Sequence, residues 1–435
     1  MIDKVLKNKS PVYYGWYIVA TALIIGFIGA GSRQGFGIFV VPMSEEFGWN
    51  RGIISLAASL GFLLNGVVQP FMGKIFDSLG GRKVILCSLL VLGITTFSLA
   101  FTFHILFLIF VFGVVSSCAL SGVSITTTGA LLSKWFKKRR ATAVAISAAG
   151  MSLGGLILVP FSMYLLEATS WRITWAVLGC LILGISLPMA IAFIRDDPEK
   201  MGLNPDGDPD VDEGQSKNKR FFDCGPLETG SWLASFRSAP IWQMSGSYFV
   251  CGATTGIISV HFVPYALDLG ISPGRAAIIF GFMMSLNLVG AITAGLLSDR
   301  FSRKNLLGLT YFLRGCGYAL LVLIPGELSL WAFAAVAGLS WIATAPLTTA
   351  LTADVYGLRA LGTISGISFF FHALGSFVSI LGAGILYDLT GSYIMPFAIA
   401  GALLFPAALS AWTIRERKYS NRYISAETTV PVAGD

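Results

Sequence analysis

Polar positions in this chain are confined to short breaks between long apolar runs, a pattern that predicts helices crossing a bilayer. A hydrocarbon core of about 30 Å needs about 20 predominantly apolar residues in helical form. Such runs cover residues 16–41, 52–73, 84–103, 105–132, 141–166, 172–194, 241–267, 275–297, 305–324, 330–352, 360–386 and 393–414. These twelve spans, numbered in chain order, fall into two sets of six. The stretch between the sets is polar and acidic, with Asp206-Gly207-Asp208-Pro209-Asp210-Val211-Asp212-Glu213 at its centre, and reads as a mostly disordered tether. The predicted class is an all-α integral membrane protein. Its expected parts are an N-terminal six-helix bundle over 1–195, a cytoplasmic linker over 196–240, a C-terminal six-helix bundle over 241–415 and a cytoplasmic tail over 416–435.

The two sets repeat. The glycine-rich charged stretch Gly73-Lys74-Ile75-Phe76-Asp77-Ser78-Leu79-Gly80-Gly81-Arg82-Lys83 returns as Gly295-Leu296-Leu297-Ser298-Asp299-Arg300-Phe301-Ser302-Arg303-Lys304. Gly295 follows Gly73 by 222 residues, and the same offset carries Asp77 onto Asp299 and Arg82 onto Lys304. It also carries Val41-Pro42 onto Val263-Pro264, Gly48 onto Gly270, Asn65 onto Asn287, Thr126-Thr127 onto Thr348-Thr349 and Ser170-Trp171 onto Ser392-Tyr393. One register through most of both halves is an internal repeat. In a membrane chain it points to two pseudo-symmetric bundles with a substrate site between them.

Composition agrees and adds the orientation. Of the 435 residues, 55% are hydrophobic and 12% charged, which excludes a soluble globule. Lys4, Lys7, Lys9, Lys74, Arg82, Lys83, the run Lys134 to Arg140, Arg300, Arg303, Lys304, Arg415, Arg417 and Lys418 fall on one side of the spans. The opposite loops hold Arg51, Arg172 and Arg275. The positive-inside rule then places both termini in the cytoplasm. The net charge of +7 is this topology signal, and no basic soluble domain suggests nucleic acid. The first apolar run is too long for a cleavable signal. Cys87, Cys118, Cys180, Cys251 and Cys316 lie in or beside spans and Cys224 in the middle loop, so no disulfide is expected. No Cys/His cluster has metal-ligand spacing, and no cofactor is implied.

Span 4 continues into Lys134-Trp135-Phe136-Lys137-Lys138-Arg139-Arg140-Ala141, followed by Ala148-Ala149-Gly150 and Gly154-Gly155 in span 5. The charged turn and its second copy resemble the motif between helices 2 and 3 of the major facilitator superfamily, and the resemblance covers essentially the whole chain. Trp135 to Gly155 is similar to the aromatic-basic stretch leading into helix 5 of the monocarboxylate transporter branch, which includes oxalate/formate antiporter-like proteins. Arg33, Gly35-Phe36-Gly37, Phe47-Gly48-Trp49-Asn50-Arg51, Pro198-Glu199-Lys200-Met201-Gly202-Leu203 and Asp388-Leu389-Thr390-Gly391-Ser392-Tyr393 resemble bacterial members of that branch. The resemblance implies a gating motif of Gly73, Asp77, Arg82, Gly295, Asp299 and Arg303. In it Asp77 meets Arg82 and the N-terminal end of helix 11, latching the cytoplasmic ends of the bundles.

Inside the spans lie two arginines, Arg33 and Arg314, and two histidines, His261 and His372, with no Asp or Glu deeper than a span end. Buried charge is costly and faces a cavity or a partner. Positive charge without an intramembrane carboxylate is best matched by an anion from outside, and a guanidinium holds a carboxylate in bidentate fashion. Arg33, Gln34, Asn65, His261, Asn287, Trp341 and His372 are the substrate-binding candidates. His261 and His372 are the proton-coupling candidates, because histidine changes charge near neutral pH; packing histidines are the bland alternative. Arg314, on a helix that the resemblance makes peripheral, is expected to be structural. Monocarboxylate transporters carry an Asp and an Arg four residues apart on helix 8. Those slots fall on Asn287 and Ala291 here, so their proton chemistry does not carry over. Asn65 and Asn287 either contact substrate or bridge helices. Serines and threonines of spans 4 and 10 either line a shared cavity or bond their own backbone.

The expectation is a secondary transporter of a small organic anion, a mono- or dicarboxylate, working by alternating access in the cell (bacterial inner) membrane. Protons or a counter-anion would be its coupling partners and a monomer its working form. No phosphate-binding G-x-x-x-x-G-K-[ST] loop occurs. An exporter of amphipathic molecules and a transporter-derived sensor are the alternatives. An intramembrane enzyme finds no nucleophile–base pair in the sequence.

Overall fold

A computed structural model of the chain describes residues 13–136, 140–204, 227, 232–356 and 361–419. Among these residues every regular element is helical and no strand occurs. Eleven helical stretches are long and apolar enough to cross a membrane, and they match spans 1 to 9, 11 and 12. The tenth, expected as one helix over 330–352, is divided into Glu327–Gly338 and Thr344–Tyr356. Most of the expected linker, and the tail beyond Tyr419, lie outside the described residues.

The first span is also interrupted. Helix Gly15–Ile25 passes into a wider turn at Gly26–Ala30, resumes as Gly31–Gln34, and breaks before helix Gly37–Phe47. Glycine disfavours helix interiors, and residues 26–37 hold five. The charged turn is shorter than its composition suggests. Helix Arg51–Leu79 includes Gly73 and Asp77, and the reversal falls on Gly80, whose φ of 88° suits only glycine. Its second copy likewise lies inside helix Pro273–Arg300 as far as Asp299.

The chain divides into two compact units, Met1–Phe36 with Phe71–Val211, and Gly37–Pro70 with Asp212–Asp435. In the first, an apolar core runs from Tyr14, Ile18 and Ile25 through Ile85, Leu89 and Leu92 to Leu132, Trp135 and Ile194. The aromatic cluster at the start of span 1 belongs to this core. Tyr13 donates to the Trp135 carbonyl at 3.0 Å, Tyr14 to the Phe193 carbonyl at 3.1 Å, and the Trp135 indole to the Arg195 carbonyl at 3.1 Å. Buried phenols and indoles need such partners. Beside them Lys134 and Lys200 reach Asp197 at 3.3 and 2.9 Å. The hydrogen bond from Lys200, with a second from Lys134, holds the Asp197 carboxyl below the usual carboxylate range.

In the second unit helix Ala239–Asp268 lies along helix Leu361–Thr390. They approach so closely at Gly252 that a Cβ there would collide with the His372 carbonyl, and Ser376 donates to the Gly252 carbonyl at 2.9 Å. Small residues permit this kind of backbone contact.

Both copies of the charged motif end in the same device. The Arg82 amide donates to Asp196 at 2.7 Å, while the Arg303 and Lys304 amides donate to Glu416 at 3.1 and 3.0 Å, with Ser302 bonded to the same carboxylate. A carboxylate from the end of the sixth or twelfth helix thus satisfies the open amides of a helix start. Arg303 adds an ion pair to Asp354 at 2.6 Å and donates to the Ala350 carbonyl. The side chains of Asp77 and Asp299 lie outside the described part of the structure.

Candidate functional site

Each unit holds an arginine against a broken helix. In the first unit, span 4 breaks at 122–124 between helices Ser117–Ser121 and Ile125–Trp135. Ser124 accepts from the Thr127 amide at 3.4 Å, and the Thr127 hydroxyl donates to the Ser121 carbonyl at 2.9 Å. These side chains satisfy groups that the break exposes, as buried backbone requires. Arg33, partly exposed, donates to the Ser117 hydroxyl at 2.8 Å, and its guanidinium carbon stands 5.3 Å from the Phe112 ring centre. A cavity of about 10 Å³ beside it is lined by Ser32, Thr96, Ser116, Leu120 and Trp175 among others, space for about one water. Gln34 points elsewhere and donates to the Met151 carbonyl at 3.4 Å.

The second unit repeats the arrangement with different parts. Arg314 is fully buried and donates to the carbonyls of Ser340 and Trp341, the latter at 2.7 Å, in the break of span 10. Its other terminal nitrogen reaches the Cys251 sulfur at 3.3 Å and the Thr254 hydroxyl at 3.4 Å. Asn287 accepts from the Ile342 amide at 2.9 Å. The break therefore has a donor for its free carbonyls and an acceptor for a free amide. This is why a continuous apolar run is not a continuous helix. Adding the repeat offset of 222 to 122–124 gives 344–346, so the break of span 10, at 339–343, falls about one helical turn before its repeat position. Thr344 lies 3.1 Å from the Cys251 sulfur, which also faces His372.

His372 is half-buried, 3.3 Å from the Thr255 hydroxyl, with its ring 4.8 Å from that of Tyr248 and stacked on Phe369. Asn287, Trp341, Arg314 and His372 thus belong to one polar cluster threaded by Cys251, Thr254 and Thr255. His261 does not join it. It is fully buried, with one ring nitrogen 3.2 Å from the Tyr393 hydroxyl and the other 2.9 Å from the Ile380 carbonyl. Asn65 lies partly exposed on helix Arg51–Leu79. Cys251 and Tyr248 carry no motif and were not among the residues the sequence singled out.

A family profile described as Major Facilitator Superfamily matches residues 22–380 and 244–432. The chain belongs to the major facilitator superfamily. Members are transporters, and this one is a multi-pass membrane protein with a small-molecule substrate. Among relatives, an uncharacterised MFS-type transporter, YcxA, of Bacillus subtilis (strain 168) is 27% identical over 393 residues, covering 88% of this chain and 91% of its own length. Monocarboxylate transporter 12 of Rattus norvegicus is 27% identical over 427 residues, covering 91% and 84%. The crystal structure of a bacterial homologue of the human lysosomal transporter Spinster, inward-facing and unoccupied, matches with a TM-score of 0.67 at 16% identity, over 93% of this chain and 98% of that one. The superfamily's two-bundle architecture is the fold of this transporter.

Proposed function

We propose that this transporter carries a small organic anion, a mono- or dicarboxylate, by alternating access of two six-helix bundles, coupled to protons or to a counter-anion. One observation carries the reading: in each repeat half an arginine bonds a broken helix, Arg314 at the break of span 10 itself and Arg33 at Ser117, less than two turns before the break of span 4. Half-helix starts carry partial positive charge, and discontinuous helices at matching positions of two halves are where transporters of this build bind substrate. Every partner of Arg314 described above is neutral, so its charge raises the potential of the cluster holding Trp341 and His372. Arg33 supplies the first half's charge beside the small cavity lined by Ser116 and Trp175. His372 is the proton carrier. His261 could take a proton only by reversing its bond to Tyr393, since its other nitrogen is held by a carbonyl. The similarity to monocarboxylate transporters supports the substrate class. The gating motif around Asp77 and Asp299 closes the cytoplasmic side. The protein works as a monomer in the cell membrane, with both termini cytoplasmic.

The test is uptake into proteoliposomes. Labelled mono- and dicarboxylates are expected to accumulate when an inward proton gradient is imposed or the vesicles are preloaded with unlabelled anion. Accumulation of neutral or cationic lipophiles alone would replace this reading with export of amphipathic molecules.

A further inference from the structure

The Arg51 end of helix Arg51–Leu79, opposite the Gly80 reversal, carries a charged cluster that the anion site does not use. The Arg51 guanidinium meets Asp268 through two parallel bonds of 2.8 and 2.9 Å. Asp388 accepts from the backbone amides of Arg51 at 3.2 Å and Gly52 at 2.8 Å. The Tyr387 ring centre lies 4.1 Å from the guanidinium carbon, and the Tyr393 hydroxyl lies 3.3 Å from the same side chain. All these residues belong to the second compact unit. In the repeat, however, Arg51 comes from the first half and Asp268, Asp388, Tyr387 and Tyr393 from the second.

We propose that Arg51, Asp268 and Asp388 form the latch that closes the outer mouth of the transporter. The inference rests on the alternating-access reading and is independent of the substrate class. Two halves that rock apart at this face must break every one of these contacts together. Their geometry makes that costly. A bidentate arginine–carboxylate pair is stronger than a single contact, and this one is mostly shielded, with side-chain exposures of 13% and 29%. Asp388 is placed where a carboxylate gains from a helix start. Tyr387 and Tyr393 clamp the guanidinium by cation–π contact, so the arginine is held in a single orientation. The contact is reversible, because both partners regain water when it opens.

The test is a distance measurement on the full chain in lipid nanodiscs, with Cys87, Cys180 and Cys224 replaced by serine and spin labels at Ile53→Cys and Leu269→Cys. A short separation is expected to dominate. Arg51→Gln and Asp268→Asn are each expected to raise the longer-distance population roughly tenfold. The exchanged pair Arg51→Asp with Asp268→Arg returns it towards the starting value, which loss of packing alone would not do. If the single variants do not fold, Asp388→Asn, which keeps the ion pair, must still raise the long component. Folded variants with an unchanged distribution, or an exchanged pair that fails to restore it, overturn the latch. No substrate enters the measurement, so a failed anion reading and a failed latch give different results.

Discussion

Replacing Arg314 by methionine is expected to destabilise the second unit by about 2–6 kcal/mol, the cost of leaving two buried carbonyls without a donor. Methionine fills much of the space, so the loss is one of hydrogen bonds more than of volume. The Ser340 and Trp341 carbonyls, released by the break in span 10, would lose their donor. Each buried group so abandoned costs about 1–3 kcal/mol. Arg314→Lys should recover part of the loss, since an ammonium keeps the charge but lacks the planar fork that reaches both carbonyls and the Cys251–Thr254 pair. Thermal unfolding in detergent checks this. A melting temperature unchanged in Arg314→Met would mean that the break does not depend on the guanidinium.

Arg33→Gln should leave folding intact and cripple transport. Glutamine can still donate to Ser117, whose hydroxyl in turn donates to the Phe112 carbonyl at 3.0 Å, so the local structure has a replacement donor. The charge has none. A hydrogen bond to a charged group contributes about 1.5–3 kcal/mol, so carboxylate uptake should fall between about tenfold and a hundredfold. Arg33→Lys should retain part of it. Uptake kinetics in proteoliposomes decide the matter, and full activity in Arg33→Gln would remove Arg33 from the substrate path.

The contrast between these arginines shows where sequence reasoning reached and where it stopped. Span number and the repeat were legible because apolar runs and the 222-residue register are properties of the chain itself. The break in span 10 was not. Its stretch holds Gly338, Ser340, Thr344 and Pro346 without fixing a break, and the groups that make a break tolerable, Arg314 and Asn287, sit on other helices. Arg314 was legible as a charge inside a span, but not as the residue that holds Ser340 and Trp341. Arg51 read as one of few charges on the outer side, and both it and Asp388 as parts of stretches resembling a transporter branch, but not as partners, because Asp268 and Asp388 lie 217 and 337 residues away. Trp135 was noticed for its resemblance to a branch motif, whereas in the fold it is a fully buried anchor joining the start of span 1 to the exit of span 6.

The most direct test of the central claim is a thermal-shift screen of the purified wild-type protein in detergent against carboxylates, sugars, amines and lipophilic drugs. A ligand that prefers the folded state stabilises it by about 2.7 kcal/mol at 100 times its dissociation constant. One or more small carboxylates are expected to raise the apparent melting temperature while the other classes do not. Stabilisation by neutral or cationic lipophiles, with no response to any carboxylate, would contradict it.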